Sequence, residues 1–160
     1  VVEVKMMEVA RTAILLLHPL LAIILLGWML KQHSWRKRSR SLKGNERKLS
    51  RQQHEDWGKK FVPLAIVAVA IAISAEIIRA LIDGKPLLFY FHLNIHGIFG
   101  IVGIGLLLFM TGLGKKVVAA RESGEKWNEL KLKHGRAADL VMILAVLHGF
   151  IGFLYIFQVV

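Results

Sequence analysis

Seven histidines punctuate a chain that is otherwise strongly apolar, and five of them stand where an imidazole needs a reason. His18, His96 and His148 lie inside long runs of Leu, Ile, Val, Phe and Ala, while His54 and His134 immediately precede two such runs. His92 stands at the outer end of a third run, and His33 lies in a basic connection. One imidazole in an apolar helix can be satisfied by a hydrogen bond to a neighbouring helix. Histidines on every apolar segment point instead to ligation, because a polar ring is costly there unless it faces inward to a partner.

The elements that must position these rings are legible in the hydropathy. Hydrophobic residues make up 55% of the chain. They cluster in four runs, roughly residues 10–30, 61–82, 87–113 and 137–160. Each run has about 20 residues or more, enough at 1.5 Å per residue to cross a hydrocarbon core of ~30 Å. The expected fold is an all-α integral membrane protein, a single domain of four transmembrane helices in an up-down bundle. The first run is long enough to be a span and is expected to stay as one, not to be removed as a signal peptide.

The net charge of +11 is concentrated in two connections, residues 31–60 and 114–136, whereas IDGKPLL between the second and third runs is nearly neutral. Four spans place both basic connections on one side, which the positive-inside tendency makes cytoplasmic, or stromal in a thylakoid. Trp28, Trp35, Trp57 and Trp127 fall near that face, where indoles suit the lipid–water boundary. Topology thus accounts for the charge, and no nucleic-acid partner is expected despite SWRKRSRSLKG. With no cysteine, disulfides, iron–sulfur clusters and thiol nucleophiles are excluded.

Counting from the span ends sets His18 about eight residues inside the outer face and His96 about nine, each roughly 12 Å deep. His54 and His134 both lie at the inner boundary. In a sequential bundle the first and third helices face each other across the core, as do the second and fourth. His18/His96 and His54/His134 are therefore two diagonal pairs at two levels. Imidazoles facing each other across a bundle core are the arrangement that clamps the iron of a b-type haem from both axial sides, and closed coordination of that kind favours electron transfer over oxygen binding. His148 follows His134 by 14 residues on nearly the same face of one helix. It is the alternative partner of His18, or a neighbour of that haem.

Other residues are weaker signals. Gly97, Gly100 and Gly103, and Gly149 and Gly152, could leave room for a porphyrin face or for close helix packing. Lys59, Lys60, Lys115, Lys116 and Arg136 near the inner site, and Arg11, Arg79 and Lys85 near the outer one, could meet haem carboxylates or an anionic reductant but are mainly topology determinants. Glu76 and Arg79 are spaced to pair along one helix. Asp139, a carboxylate within the fourth run, is a candidate to orient a ligand histidine or carry a proton.

These residues resemble the cytochrome b561 family of two-haem transmembrane cytochromes. His18-Pro19 in LLHPLLAIILLG is similar to the family's His-Pro pair in the first core helix. The following core helices each carry one ligand histidine in the family, positions that fall here on His54, His96 and His134. LNIHGIFGIVG resembles the family's Leu-His-Ser-Trp-x-Gly helix, keeping His96 and Gly100 while Gly-Ile replaces Ser-Trp. The resemblance implies two haems b, ligated first-to-third and second-to-fourth; the bacterial branch, with two histidines on its last helix, would bring in His148. The family's basic motifs for ascorbate are absent, so that substrate is not inherited. The chain is most similar to small four-span relatives of cyanobacteria and chloroplasts, which implies a thylakoid or plasma membrane.

The expected function is a b-type cytochrome that passes electrons across the bilayer between an unidentified donor and acceptor, as a homodimer or a subunit of a larger complex. Whether it is an enzyme depends on that acceptor. The alternative is a small structural or pigment-binding subunit of a photosynthetic or respiratory complex, using single axial histidines. A channel or transporter is disfavoured by the few inward charges.

Overall fold

The computed structural model describes residues 2–91 and 94–159. It contains α1 (Val2–His33), α2 (Trp35–Arg38), α3 (Gly44–Lys59), α4 (Phe61–Ile82), α5 (Ile95–Glu122) and α6 (Asn128–Val159), with no strand among the described residues. Four helical stretches are long and apolar enough to cross a membrane: α1, α4 with α3 as its extension, α5 and α6. His92 lies outside the described residues.

Local sequence explains the boundaries. Pro19 sits inside α1, immediately after His18. Pro63 lies in the first turn of α4, where a missing N–H is tolerated. That missing donor leaves the Lys59 carbonyl without its helical partner, and the chain accordingly breaks at Lys60, which stays right-handed at φ −84° and ψ −14°. The basic connection 31–60 is largely helical, and α3 covers most of NERKLSRQQHEDWGKKF as a polar extension leading into α4. α4 and α5 end alike, with glycine in the left-handed region at Gly84 (φ 60°) and Gly124 (φ 74°). The following amides of Lys85 and Glu125 reach back to the Ala80 and Ala120 carbonyls, each at 2.8 Å, which closes the helix end.

The third helix begins at Ile95, eight residues after the expected 87. The side chain of Asn94 caps it, accepting a hydrogen bond from the Gly97 amide at 2.8 Å. The apolar residues Leu87 to Phe91 form turns instead, with Phe89 N–H on the Pro86 carbonyl. Tyr90 anchors this segment: its hydroxyl donates to Asp83 at 2.6 Å and its ring lies under the Arg79 guanidinium at 3.7 Å. The run had the hydropathy of a span but not the capping chemistry of one. At the other ends, α5 continues to Glu122 and α6 starts at Asn128, so only a short turn separates them.

α5 packs along α6, and α1 packs on both α4 and α6, while α4 meets α5 only lightly. Close approach relies on small residues. Ala68 and Ala75 of α4 are buried seven residues apart, and Ala120 and Ala137 are buried on α5 and α6. Phe61, Leu107 and Val141 form an apolar centre against which Trp28 and Met110 rest. The outward faces are equally apolar: Ile23, Ile24, Ile101 and Phe150 are all exposed, Ile23 to 67%.

Candidate functional site

Three helices converge on one cluster of imidazoles. His18 from α1, His96 from the first turn of α5 and His148 from α6 offer ring nitrogens that all lie within 4.8 Å of one another. The His18 and His96 rings are 6.2 Å apart between centroids and nearly perpendicular at 80°. His96 and His148 are instead stacked, 3.9 Å apart and 17° from parallel. His96 lies near the start of its helix, not nine residues into it, yet it shares the level of His18.

His18, His54, His96 and His134 are each held through Nδ1 by a carbonyl oxygen. His18 Nδ1 donates to the Ala68 carbonyl at 3.0 Å and His96 Nδ1 to the His148 carbonyl at 3.2 Å. His134 Nδ1 donates to the Met110 carbonyl at 3.0 Å. His54 Nδ1 donates to Gln32 Oε1 at 2.6 Å, and the Gln32 amide nitrogen turns to the His54 carbonyl at 3.5 Å, which fixes the orientation of the amide. A carbonyl oxygen only accepts, so each ring carries a proton on Nδ1, and in the neutral imidazole the lone pair is then on Nε2. This is the tautomer a metal-ligating histidine adopts when its other nitrogen is tied to a carbonyl. His148 differs: its Nδ1 is buried without a partner.

The glycines serve the imidazoles. A Cβ on Gly152 would lie 2.7 Å from His96 Cε1, one on Gly100 3.2 Å from His148 Cε1, and one on Gly114 3.3 Å from His134 Cε1. Gly97 borders its own cap, and Gly103 and Gly149 face leucines at ordinary distances. Gly114 has the same relation to an inner histidine that Gly100 and Gly152 have to outer ones, and it was not singled out in the sequence.

The donor set fits a metal ion held by two imidazoles. Two metal–nitrogen bonds of ~2 Å on opposite sides of one ion put the ring centroids roughly 6 Å apart, the separation found between His18 and His96. The stacked pair cannot act together on one ion, because an ion in the plane of one ring lies a stacking distance off the plane of the other. At the inner level His54 stacks flat on Trp35 at 4.6 Å and 14°, which fixes the ring's plane.

Other sequence candidates are engaged elsewhere. Asp139 holds neither His54 nor His134; it accepts from His33 Nε2 at 2.8 Å and Arg36 Nη1 at 3.2 Å, tying α1 and α2 to α6. It lies where α2 folds back on α6, so its partners come from the end of α1 and from α2, not from the candidate ligands. Arg79 pairs with Glu76 at 3.5 Å, as their spacing suggests, and with Asp83 at 4.0 Å, while Arg11 reaches Asp83 at 3.6 Å. Glu55 and Arg121 form an ion pair that fastens α3 to α5. Gln32, Trp35 and the carbonyls of Ala68, Met110 and His148 are the supporting residues that sequence reasoning missed. A backbone acceptor has no sequence signal.

Comparison of the chain with family models, curated proteins and solved structures gives no match at any level.

Proposed function

We propose that the protein is a multi-pass membrane cytochrome of the b type, related to the cytochrome b561 family, with two haems b stacked across the bilayer. Four long apolar helices with apolar outward faces support insertion, since water-soluble surfaces rarely expose such a continuous belt. The observation that carries the haem reading is the shared state of His18, His54, His96 and His134: Nδ1 donated to a carbonyl, Nε2 left as a lone pair. Histidines kept only for packing have no need to share one tautomer.

Haem b, when bound, supplies reversible one-electron chemistry at iron. The chain's contribution is placement. His18 and His96 present lone pairs from opposite helices at the outer level, held in orientation by Ala68 and His148 carbonyls. His54 and His134 would supply the inner pair, with Trp35 and Gln32 setting the His54 ring and the Met110 carbonyl holding His134. The carbonyl bonds also raise the basicity of the ligating nitrogen. His148, stacked on His96, lines the outer site as a neighbour or as the alternative partner of His18. The basic connections lie on the cytoplasmic or stromal side of a thylakoid or plasma membrane, so an electron donor or acceptor on that side meets the inner level first.

The test is spectroscopic. Protein purified in mild detergent should show a sharp reduced α band and about two haems per chain by pyridine haemochrome assay. His18→Ala and His96→Ala should abolish the same spectral component, and His54→Ala and His134→Ala the other. Purified protein without haem, or four substitutions that act on four separate features, would refute the reading.

A further inference from the structure

A cavity of about 170 Å³ opens at the inner end, between the last turns of α1, α2 and α3. Trp28, Lys31, Trp35, Arg38, His54 and Trp57 form most of its wall, and no carboxylate lines it. Lys31 and Arg38 make no ion pair among the described residues. The acid nearest in sequence to His54, Glu55, is already occupied by Arg121 and Arg51. A third cation stands close by: the Lys60 ammonium is 5.5 Å from the centre of the Trp57 ring, and that of Lys31 is 5.4 Å from it. Of the indoles, Trp35 donates its N–H to Ser50 at 3.0 Å, but the Trp28 N–H has no partner. The wall carries cations and an unpartnered indole N–H but no anionic acceptor; Gln32, Ser50 and Gln53 contribute only neutral side-chain oxygens. An oxyanion satisfies both the cations and the indole.

Position narrows the choice. The apolar run of α1 ends at Leu30, one residue before Lys31, and the polar helix α3 forms the opposite wall. Three indoles ring this level, the depth at which tryptophan meets lipid headgroups. Basic pockets between helix ends on this side of a membrane suit phospholipid headgroups. The volume holds a phosphodiester and little more. A zwitterionic headgroup would add an ammonium among Lys31, Arg38 and Lys60, with no carboxylate in the cavity to receive it.

We propose that this cavity binds the phosphodiester of an anionic phospholipid from the basic-side leaflet, with Arg38 and Lys31 as its cationic contacts. A guanidinium offers paired donors to two phosphate oxygens, and the flexible ammonium supplies a second charge. The proposal rests on membrane insertion but not on haem.

Native mass spectrometry of the full chain, delipidated in detergent and then given phosphatidylglycerol or phosphatidylcholine, tests it. One phosphatidylglycerol per chain should be retained about tenfold better than phosphatidylcholine, the ratio that ~1.4 kcal/mol of preference gives. The double variant Lys31→Gln/Arg38→Gln should lose the preference, Arg38→Lys should keep part of it, and Lys126→Gln/Lys131→Gln, on the same basic face, should keep all of it. Circular dichroism on each variant verifies the helical fold. Equal retention of the two lipids, an unchanged Lys31→Gln/Arg38→Gln variant, or displacement by millimolar inorganic phosphate would overturn the proposal, the last by showing a site for a free anion. Release of the chain from carbonate-washed membranes would overturn membrane insertion as well, and so marks that failure apart.

Discussion

Gly152→Ala is the most exacting test of the outer cluster. The new Cβ would stand 2.7 Å from His96 Cε1 and 3.1 Å from Nδ1, where ordinary contact begins at 3.4 Å. The ring must retreat by about 0.7 Å, and its Nδ1 bond to the His148 carbonyl is already long at 3.2 Å. Overpacking of this kind costs ~1–3 kcal/mol. A lost or weakened hydrogen bond adds ~0.5–1.5 kcal/mol. Alanine in place of glycine in a helix returns ~1 kcal/mol, so the net destabilisation is roughly 0.5–3.5 kcal/mol. Gly105→Ala is the control, because nothing lies within 4 Å of its Cβ, and it should stabilise by up to ~1 kcal/mol. Unfolding of the detergent-solubilised chain, followed by circular dichroism, reads both. In a His96→Ala background the clash has no target, so the Gly152→Ala penalty should vanish. If Gly152→Ala is as stable as Gly105→Ala, or its cost persists without His96, the packing of His96 on Gly152 is wrong.

Three further outcomes follow from the same geometry. Gln32→Leu removes the acceptor that orients His54 and should weaken inner haem retention about 10- to 100-fold, lowering the haemochrome count toward one while the outer component persists; a full count would show that Gln32 does not support the ligand. Asp139→Asn should shift stability by under ~1 kcal/mol and leave the haem spectrum unchanged, since its His33 and Arg36 pairs are well exposed. A spectral change there would place Asp139 in the ligand network after all. Tyr90 donates to Asp83, which pushes its phenol pKa up. Its contribution to stability is therefore complete below the ordinary phenol value of about 10 and is lost as pH rises through the higher folded value. Alkaline melting curves of wild type should fall more steeply than those of Tyr90→Phe, and parallel curves would contradict the Tyr90–Asp83 bond.

The long helices were legible because twenty consecutive apolar residues admit few alternatives. The start of α5 was not, because Leu87 to Phe91 are as apolar as a span. Only Asn94 as a cap and the Tyr90–Asp83 bond show where the chain turns. At the outer level the nearness of His18 and His96 agrees with the diagonal expectation, but the count behind it did not hold, since His96 is the second residue of α5 and not nine residues into a span. Asp139 misled, since a carboxylate in an apolar run looks like a partner for the nearest histidine. Its actual partners, His33 and Arg36, sit more than a hundred residues away in sequence. The Nδ1 acceptors were invisible in principle: Ala68, Met110 and His148 contribute carbonyls that any residue type would supply.

The pattern of those Nδ1 bonds divides the molecule in a way that helix order alone does not. His18 ties α1 to α4 and His54 ties α3 to α1, whereas His96 and His134 both tie α5 to α6. Every such stitch stays within one helical hairpin, and the connection between α4 and α5 is the seam between the two. The Nε2 lone pairs of His18 and His54 belong to the first hairpin, those of His96 and His134 to the second. An iron shared by either pair would act as a rivet across the seam. Under the proposed haem binding, each hairpin can form with its Nδ1 bonds in place, and cofactor uptake would add to the α1–α6 packing and the Asp139 and Glu55–Arg121 pairs that already cross the seam. Co-expressed halves severed at the seam should consequently associate more tightly when haem is supplied.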